Sequence, residues 1–212
     1  MAWKTVGLLA AVLLMTPGVT TAQSSEPSRP TVMVRSYNNF GVPAEELQIA
    51  RGLAERILRD AGIEVTWIAC WFRDREPADA SRRCRQPLDS SDLVLRLQAG
   101  QPAAGTKFVS MGFSLVGSGP NPAFLSTIFV DLVQSVARGA AIDPRQVLGL
   151  AIAHEIGHLL LNTNSHATTG LMRAGWSRAE LRHNVSSDWR FLDTEAATMR
   201  AAIATRASGI GN

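Results

Sequence analysis

The chain has 212 residues, of which 46% are hydrophobic and 18% are charged, a balance typical of a globular domain and not of a disordered chain. Its formal charge of +3 at pH 7 is small, and the one visible basic cluster is Arg82-Arg83-Cys84-Arg85. Nucleic-acid-binding proteins concentrate charge and aromatic side chains on one face. These features argue against that class, so we expect no nucleic-acid partner and a solvated loop at the cluster.

The first 22 residues have the layout of a secretory signal peptide. Lys4 supplies a positive charge, residues 6–15 form an apolar run too short to span a bilayer, and Ala22 ends a run of small residues suited to cleavage. The alternative is an uncleaved membrane anchor. We expect a secreted or periplasmic protein without stable membrane association after cleavage, with a flexible leader over residues 23–30 and a single domain over residues 31–212. Cleavage would lower the formal charge to +2.

The remaining segments predict an α+β fold. β-branched and alternating apolar residues indicate strands, whereas apolar stripes at helical spacing indicate helices. The predicted elements, in order, are a strand over 31–37, a helix over 43–61, strands over 63–70 and 92–98, a short edge strand within 108–116, a strand over 127–133, a helix over 144–162, and a last helix over 188–204. The order predicts a mixed, twisted sheet of about four to five strands with three packed helices.

Cys70 and Cys84 are the two cysteines of the chain. In an exported protein an even pair predicts one disulfide, which here would close a loop of about 15 residues. Two zinc-binding thiolates are a weaker alternative because no adjacent histidine or close cysteine pair accompanies them.

The helix over 144–162 carries the sequence His154-Glu155-Ile156-Gly157-His158. Histidines four residues apart project from one helix face and can bind one zinc ion. Zinc lowers the pKa of a bound water toward ~7, and the carboxylate of Glu155 is placed to accept that water's proton. Gly157 would let another element approach the helix closely. The helix is otherwise nearly apolar, so these polar groups would be costly to bury without partners or a metal.

A catalytic zinc site usually has three protein ligands. His166 is the best candidate for the third, since turn-forming residues 162–165 can bring it back toward the helix. Glu180 or Glu195 is the alternative, as in enzymes that combine this motif with a downstream glutamate. His183 is expected to lie on the surface.

These residues, together with Gly170-Leu171-Met172, resemble the metzincin clan of zinc endopeptidases, and within it the minimal catalytic domains of the matrixin type. The resemblance implies that His154, His158 and His166 are zinc ligands, that Glu155 is the general base, and that Met172 belongs to a methionine turn below the metal. The spacing departs from the family motif: Leu161 and Asn164 occupy the positions of its glycine and third histidine, and His166 comes two residues later.

The expected function is therefore that of a secreted endopeptidase with one catalytic zinc ion and a protein or peptide substrate. A monomer is favoured, although the sequence does not define the oligomeric state. The alternatives are a gluzincin-like peptidase that uses a downstream glutamate and a secreted zinc-containing binding module without peptidase activity. The intact Glu155 argues against the binding module, because a structural zinc site needs no base.

Overall fold

The computed structural model describes residues 1, 29–70, 82–100, 110–117 and 122–208. Residues 2–22 of the predicted signal peptide and most of the predicted leader lie outside the described residues. The strands are β1 (Thr31–Asn38), β2 (Glu64–Cys70), β3 (Asp92–Gln98), β4 (Gly112–Leu115) and β5 (Leu125–Phe129). The helices are α1 (Ala44–Asp60), α2 (Val130–Ala140), α3 (Pro144–Leu161), α4 (Arg178–His183) and α5 (Asp193–Ala207), with short 3-10 helices at Arg82–Arg85 and Ser186–Trp189.

The strands form one mixed sheet in the order β2-β1-β3-β5-β4. Strands β1, β2, β3 and β5 pair in parallel, and β4 pairs with β5 in the antiparallel direction at the sheet edge. The predicted α+β class, with a mixed sheet of four to five strands, is confirmed. The parallel strands require crossover connections, and α1 supplies the one between β1 and β2.

Helix α1 lies directly on α3, and this contact builds much of the core. Its inward stripe is apolar at helical spacing, and Glu45 and Glu46 occupy its first turn, where the helix dipole favours acids. A Cβ atom on Gly149 of α3 would lie 2.7 Å from the carbonyl oxygen of Ala50. The glycine therefore permits a backbone approach that fixes α3 against α1. The buried residues of α1 are Leu47, Ala50, Ala54, Ile57 and Leu58.

Helix α3 runs through the interior of the protein. Asp143 caps its N-terminus by accepting a 2.8 Å hydrogen bond from the backbone N–H of Arg145, and Pro144 occupies the first turn. The helix ends at Leu161, and the capping residue Asn162 that follows has the left-handed conformation with φ of 50°. Most of its residues between these ends are buried, which agrees with its apolar composition.

The predicted strand over 127–133 is partly wrong. Strand β5 ends at Phe129, and α2 begins at Val130 without a side-chain cap hydrogen bond. The apolar residues continue across this junction, so the change from strand to helix has no local signal in the sequence. The whole of α2 was missed as a result.

The last predicted helix, over 188–204, is displaced. The chain forms a 3-10 helix at Ser186–Trp189, and α5 then spans Asp193–Ala207. Glu195 caps α5 by accepting a 2.8 Å hydrogen bond from the backbone N–H of Leu192. The capping group is therefore a glutamate inside the first turn of the helix.

The predicted disulfide is confirmed. Cys70 at the end of β2 is bonded to Cys84, with Cα atoms 5.6 Å apart. Cys84 lies in the 3-10 helix that also carries the basic cluster, whose arginines are exposed. Within the described part of the chain, no helix is long and apolar enough to cross a membrane.

Candidate metal centre

His154 and His158 lie one turn apart on α3, as their spacing predicts. Their ring centroids are 4.6 Å apart with the rings nearly perpendicular, and their Nε2 atoms are separated by 3.0 Å. Two nitrogens at about 2.0–2.1 Å from one tetrahedral zinc ion would be about 3.3 Å apart. The observed spacing is close to this value.

The chain beyond α3 turns back and brings His166 to the same place. The left-handed Asn162 begins the reversal, and its side-chain oxygen accepts a 3.0 Å hydrogen bond from the backbone N–H of Gly117. The His166 ring centroid lies 5.4 Å from that of His154 and 4.8 Å from that of His158. One ring nitrogen from each of the three histidines lies within 4.8 Å of the others. Among the described residues, these three histidines form the only such group.

The hydrogen bonds of the two helical histidines fix their tautomers. Nδ1 of His154 lies 2.9 Å from the carbonyl oxygen of Leu171, and Nδ1 of His158 lies 2.7 Å from that of Thr163. A carbonyl only accepts, so each Nδ1 carries the proton and each Nε2 presents a lone pair. Two lone pairs 3.0 Å apart cannot bond each other but can share a cation. The donor set therefore fits a zinc ion, with carbonyl partners of the kind that orient metal-binding histidines.

Desolvation favours the neutral form of these imidazoles, which is the form that binds a metal. Desolvation lowers the pKa of His154 to about 4, against the opposing effect of the hydrogen bond to Leu171. Desolvation also lowers the pKa values of His158 and His166. His158 is buried, His154 is partly buried and His166 is exposed, so the third histidine lies on the open side of the cluster.

Glu155 follows the first histidine and points toward β4. It is only 6% exposed, and its Oε2 accepts a 2.6 Å hydrogen bond from the hydroxyl of Ser114. Burial raises the pKa of Glu155 to about 7, against the lowering effect of the Ser114 hydrogen bond. Ser114 was not identified from the sequence, because a serine in a short strand carries no signal until the strand's neighbour is known.

Met172 lies below the histidine-bearing helix. Its side chain is buried, and its sulfur is 2.6 Å from the position that a Cβ atom on Gly157 would occupy. The expectation that Gly157 permits a close approach is thus confirmed. Gly170, with φ of +73°, allows the bend that precedes Met172, and the backbone N–H of Ala167 donates to the carbonyl oxygen of Met172 at 2.9 Å. The loop from His166 to Met172 is therefore closed on itself.

The downstream glutamates have other partners. Glu180 forms an ion pair with Arg173 and caps α4 through a hydrogen bond from the backbone N–H of Ser177. Glu195 caps α5. Neither glutamate belongs to the histidine group, and His183 is exposed on α4 away from it.

An open cleft of about 630 Å³ surrounds the histidines. One side is β4, where Phe113 and Leu115 are exposed, and the other side is built from α2 and the segment before α4. The Trp176 ring packs edge-on against His154, with centroids 5.6 Å apart. Arg173 and Arg178 also line the cleft, whereas Glu155 is its only carboxylate among the described residues.

The comparisons with known proteins identify the fold. No family model and no curated protein matches the sequence. Among solved structures, archaemetzincin from Methanopyrus kandleri is similar over 84% of this chain and 98% of that chain, with a TM-score of 0.51 and 13% identity. Metalloproteinase-II from Bacteroides fragilis is similar over 84% of this chain and 55% of its own length, with a TM-score of 0.51 and 14% identity. The protein thus has the α+β fold of metzincin and zincin-like metallopeptidases.

Proposed function

We propose that the protein is a secreted zinc-dependent endopeptidase of the metzincin type, with a minimal catalytic domain like that of the matrixins. The observation that carries the proposal is the group of three histidines with Glu155 beside it in one open cleft. His154, His158 and His166 would hold the zinc ion. The fold likeness to archaemetzincin and metalloproteinase-II supports this assignment, and so does the closed loop that carries Met172 as the turn methionine.

Each residue has a defined task in peptide hydrolysis. When bound, zinc supplies a Lewis acid that lowers the pKa of a water and polarises the scissile carbonyl. Glu155 accepts the proton of the attacking water and later donates it to the leaving amine nitrogen. Leu171 and Thr163 hold the helical histidines in the binding tautomer through their carbonyl oxygens. Trp176 packs edge-on against His154 and lines the cleft on that side.

The cleft suits an extended peptide. β4 is an edge strand of the sheet and lies beside the histidines, so a substrate segment can align with it through backbone hydrogen bonds. The exposed Phe113 and Leu115 offer apolar contact along the same strand. Arg178 is the first residue of α4, and its guanidinium packs against α2. Its Nε is 3.3 Å from the position that a Cβ atom on Gly139 would occupy. Among the described residues it forms no ion pair, so we expect it to favour an acidic side chain in the substrate.

The test is proteolysis of casein and gelatin by the purified mature protein, with and without a chelator. We expect digestion that the chelator abolishes and that added zinc restores. Glu155→Gln should keep zinc, because the three imidazoles remain, and should lose about 10²–10⁴-fold in activity. Zinc binding without hydrolysis in the wild type would favour the alternative of a zinc-containing binding module.

A further inference from the structure

Strand β4 presents two residues to the carboxylate of Glu155. Gly112 and Ser114 are buried on the inner side of the strand, whereas the intervening Phe113 and the following Leu115 are exposed. Alternation along a strand places residues two apart on the same face. Both inner residues lie against the Glu155 side chain of α3. Ser114 donates a hydrogen bond to it, and Gly112, which has no side chain, leaves room for it.

The Ser114 hydroxyl lies between two acceptors of Glu155. Its oxygen is 2.6 Å from carboxylate Oε2 and 3.0 Å from the backbone oxygen of Glu155. A hydroxyl has one proton, and the charged and nearer carboxylate is the stronger acceptor. Ser114 therefore donates to Oε2. Oε1 has no hydrogen-bond partner among the described residues. Glu155 lines the cleft, where this oxygen is available to a water.

The glycine makes room for the other oxygen. A Cβ atom at position 112 would lie 2.9 Å from Oε1 of Glu155 and 2.7 Å from the carbonyl oxygen of Thr127. Any larger residue would displace either the carboxylate or the pairing between β4 and β5. One short strand thus holds Oε2 and leaves Oε1 unobstructed.

We propose that Ser114 is a positioning residue for the general base, holding Oε2 of Glu155 so that Oε1 alone receives the proton of the attacking water. This inference rests on the proposed function. In the step, an O–H bond of the water breaks and an O–H bond forms at Oε1. Ser114 keeps its own proton and donates to Oε2 before and after the transfer. A carboxylate without this bond would be free to rotate between orientations, and only some of them would reach the water.

The experiment compares Ser114→Ala, Ser114→Thr and a matched control, Ser126→Ala. Ser126 is paired with Ser114 in the sheet register and is fully buried, but its hydroxyl has no hydrogen-bond partner in the described part of the chain. For Ser114→Ala we expect kcat to fall about 10–100-fold, the scale of one hydrogen bond to a charged group, with KM and zinc content unchanged. Ser114→Thr keeps a hydroxyl and should recover most of kcat. Ser126→Ala should match the wild type.

A second measurement does not depend on hydrolysis. In the metal-free protein labelled with ¹³C at glutamate side chains, Ser114→Ala should raise the pKa of the Glu155 carboxyl relative to the wild type, because a donor to the charged form is lost. An unchanged carboxyl titration, equal kcat losses in Ser114→Ala and Ser126→Ala, or no recovery by Ser114→Thr would overturn the inference. An inactive wild type in which Ser114→Ala still shifts this titration would instead contradict the proposed function.

Discussion

The sulfur of Met172 lies 2.6 Å from the position that a Cβ atom on Gly157 would occupy. Cε1 of Phe191 lies at the same distance from that position. The helix that carries His154 and His158 is therefore in contact with the loop below it at Gly157, the glycine between the two histidines. This contact fixes the distance between the helix and the loop from His166 to Met172.

Gly157→Ala is expected to destabilise the protein by about 1–3 kcal/mol, because the new methyl group forces Met172 and Phe191 to move in a packed core. Urea unfolding checks this expectation. The matched control is Gly52→Ala on α1, where the nearest atom to the new methyl group is 3.8 Å away. That change should stabilise by up to about 1 kcal/mol through helix propensity. Equal effects at the two glycines would show that the contact with Met172 is unimportant.

His166→Ala is expected to weaken zinc binding by more than the roughly 10–100-fold that outer hydrogen-bond partners of metal ligands contribute. The reason is that one of three donors is lost. Elemental analysis of the purified protein after dialysis provides the measurement. His183→Ala, at an exposed histidine on α4, is the control and should retain zinc. Stoichiometric zinc in His166→Ala would refute the three-histidine assignment.

Replacing both Cys70 and Cys84 with serine is expected to lower the free energy of unfolding by about 3 kcal/mol, since the unfolded chain regains the freedom of a loop of about 15 residues. Denaturant titration measures the change. Thiol titration of the denatured, unreduced wild type should find no free thiol. A wild type with two titratable thiols would contradict the disulfide. The zinc content should be unaffected by the double substitution, because the metal centre uses neither cysteine.

Arg178→Gln is expected to reduce a preference for acidic substrates. The wild type should cleave a peptide with glutamate near the scissile bond about three- to tenfold faster than its glutamine counterpart, a modest ratio because the arginine is exposed. The ratio should fall toward one in the variant and at high salt. Arg182→Gln, on the same helix but outside the cleft lining, is the control. Equal cleavage rates for the glutamate and glutamine peptides in the wild type would contradict the proposal that Arg178 favours an acidic substrate side chain.

The sequence predicted the elements whose signals are local. Asp143 and Pro144 mark the start of α3, and Gly62, with φ of +79°, follows the end of α1. The spacing of His154 and His158 likewise follows from helix geometry alone. His166 could be proposed from the turn-forming residues before it, although its position departs from the family spacing.

The rest depends on contacts between distant segments. No residue marks the boundary between β5 and α2. Phe129 and Val130 are both apolar and would suit a buried strand or a buried helix, and α2 has no side-chain cap. Ser114 acquires its importance only from the packing of β4 against α3, 41 residues further along the chain. The start of α5 is set by Glu195, whose carboxylate accepts a hydrogen bond from the backbone N–H of Leu192.

The C-terminal helix is joined to the histidine-bearing helix by a buried arginine. Nη2 of Arg206 donates to the carbonyl oxygen of Leu159 at 2.8 Å and to that of Ala123 at 2.7 Å. Leu159 lies in the last turn of α3, where carbonyls lack partners within the helix. A protein truncated before Arg206 would leave both oxygens buried and without this donor. The last turn of α3 and α5 should therefore open together, with similar free energies of opening in amide exchange.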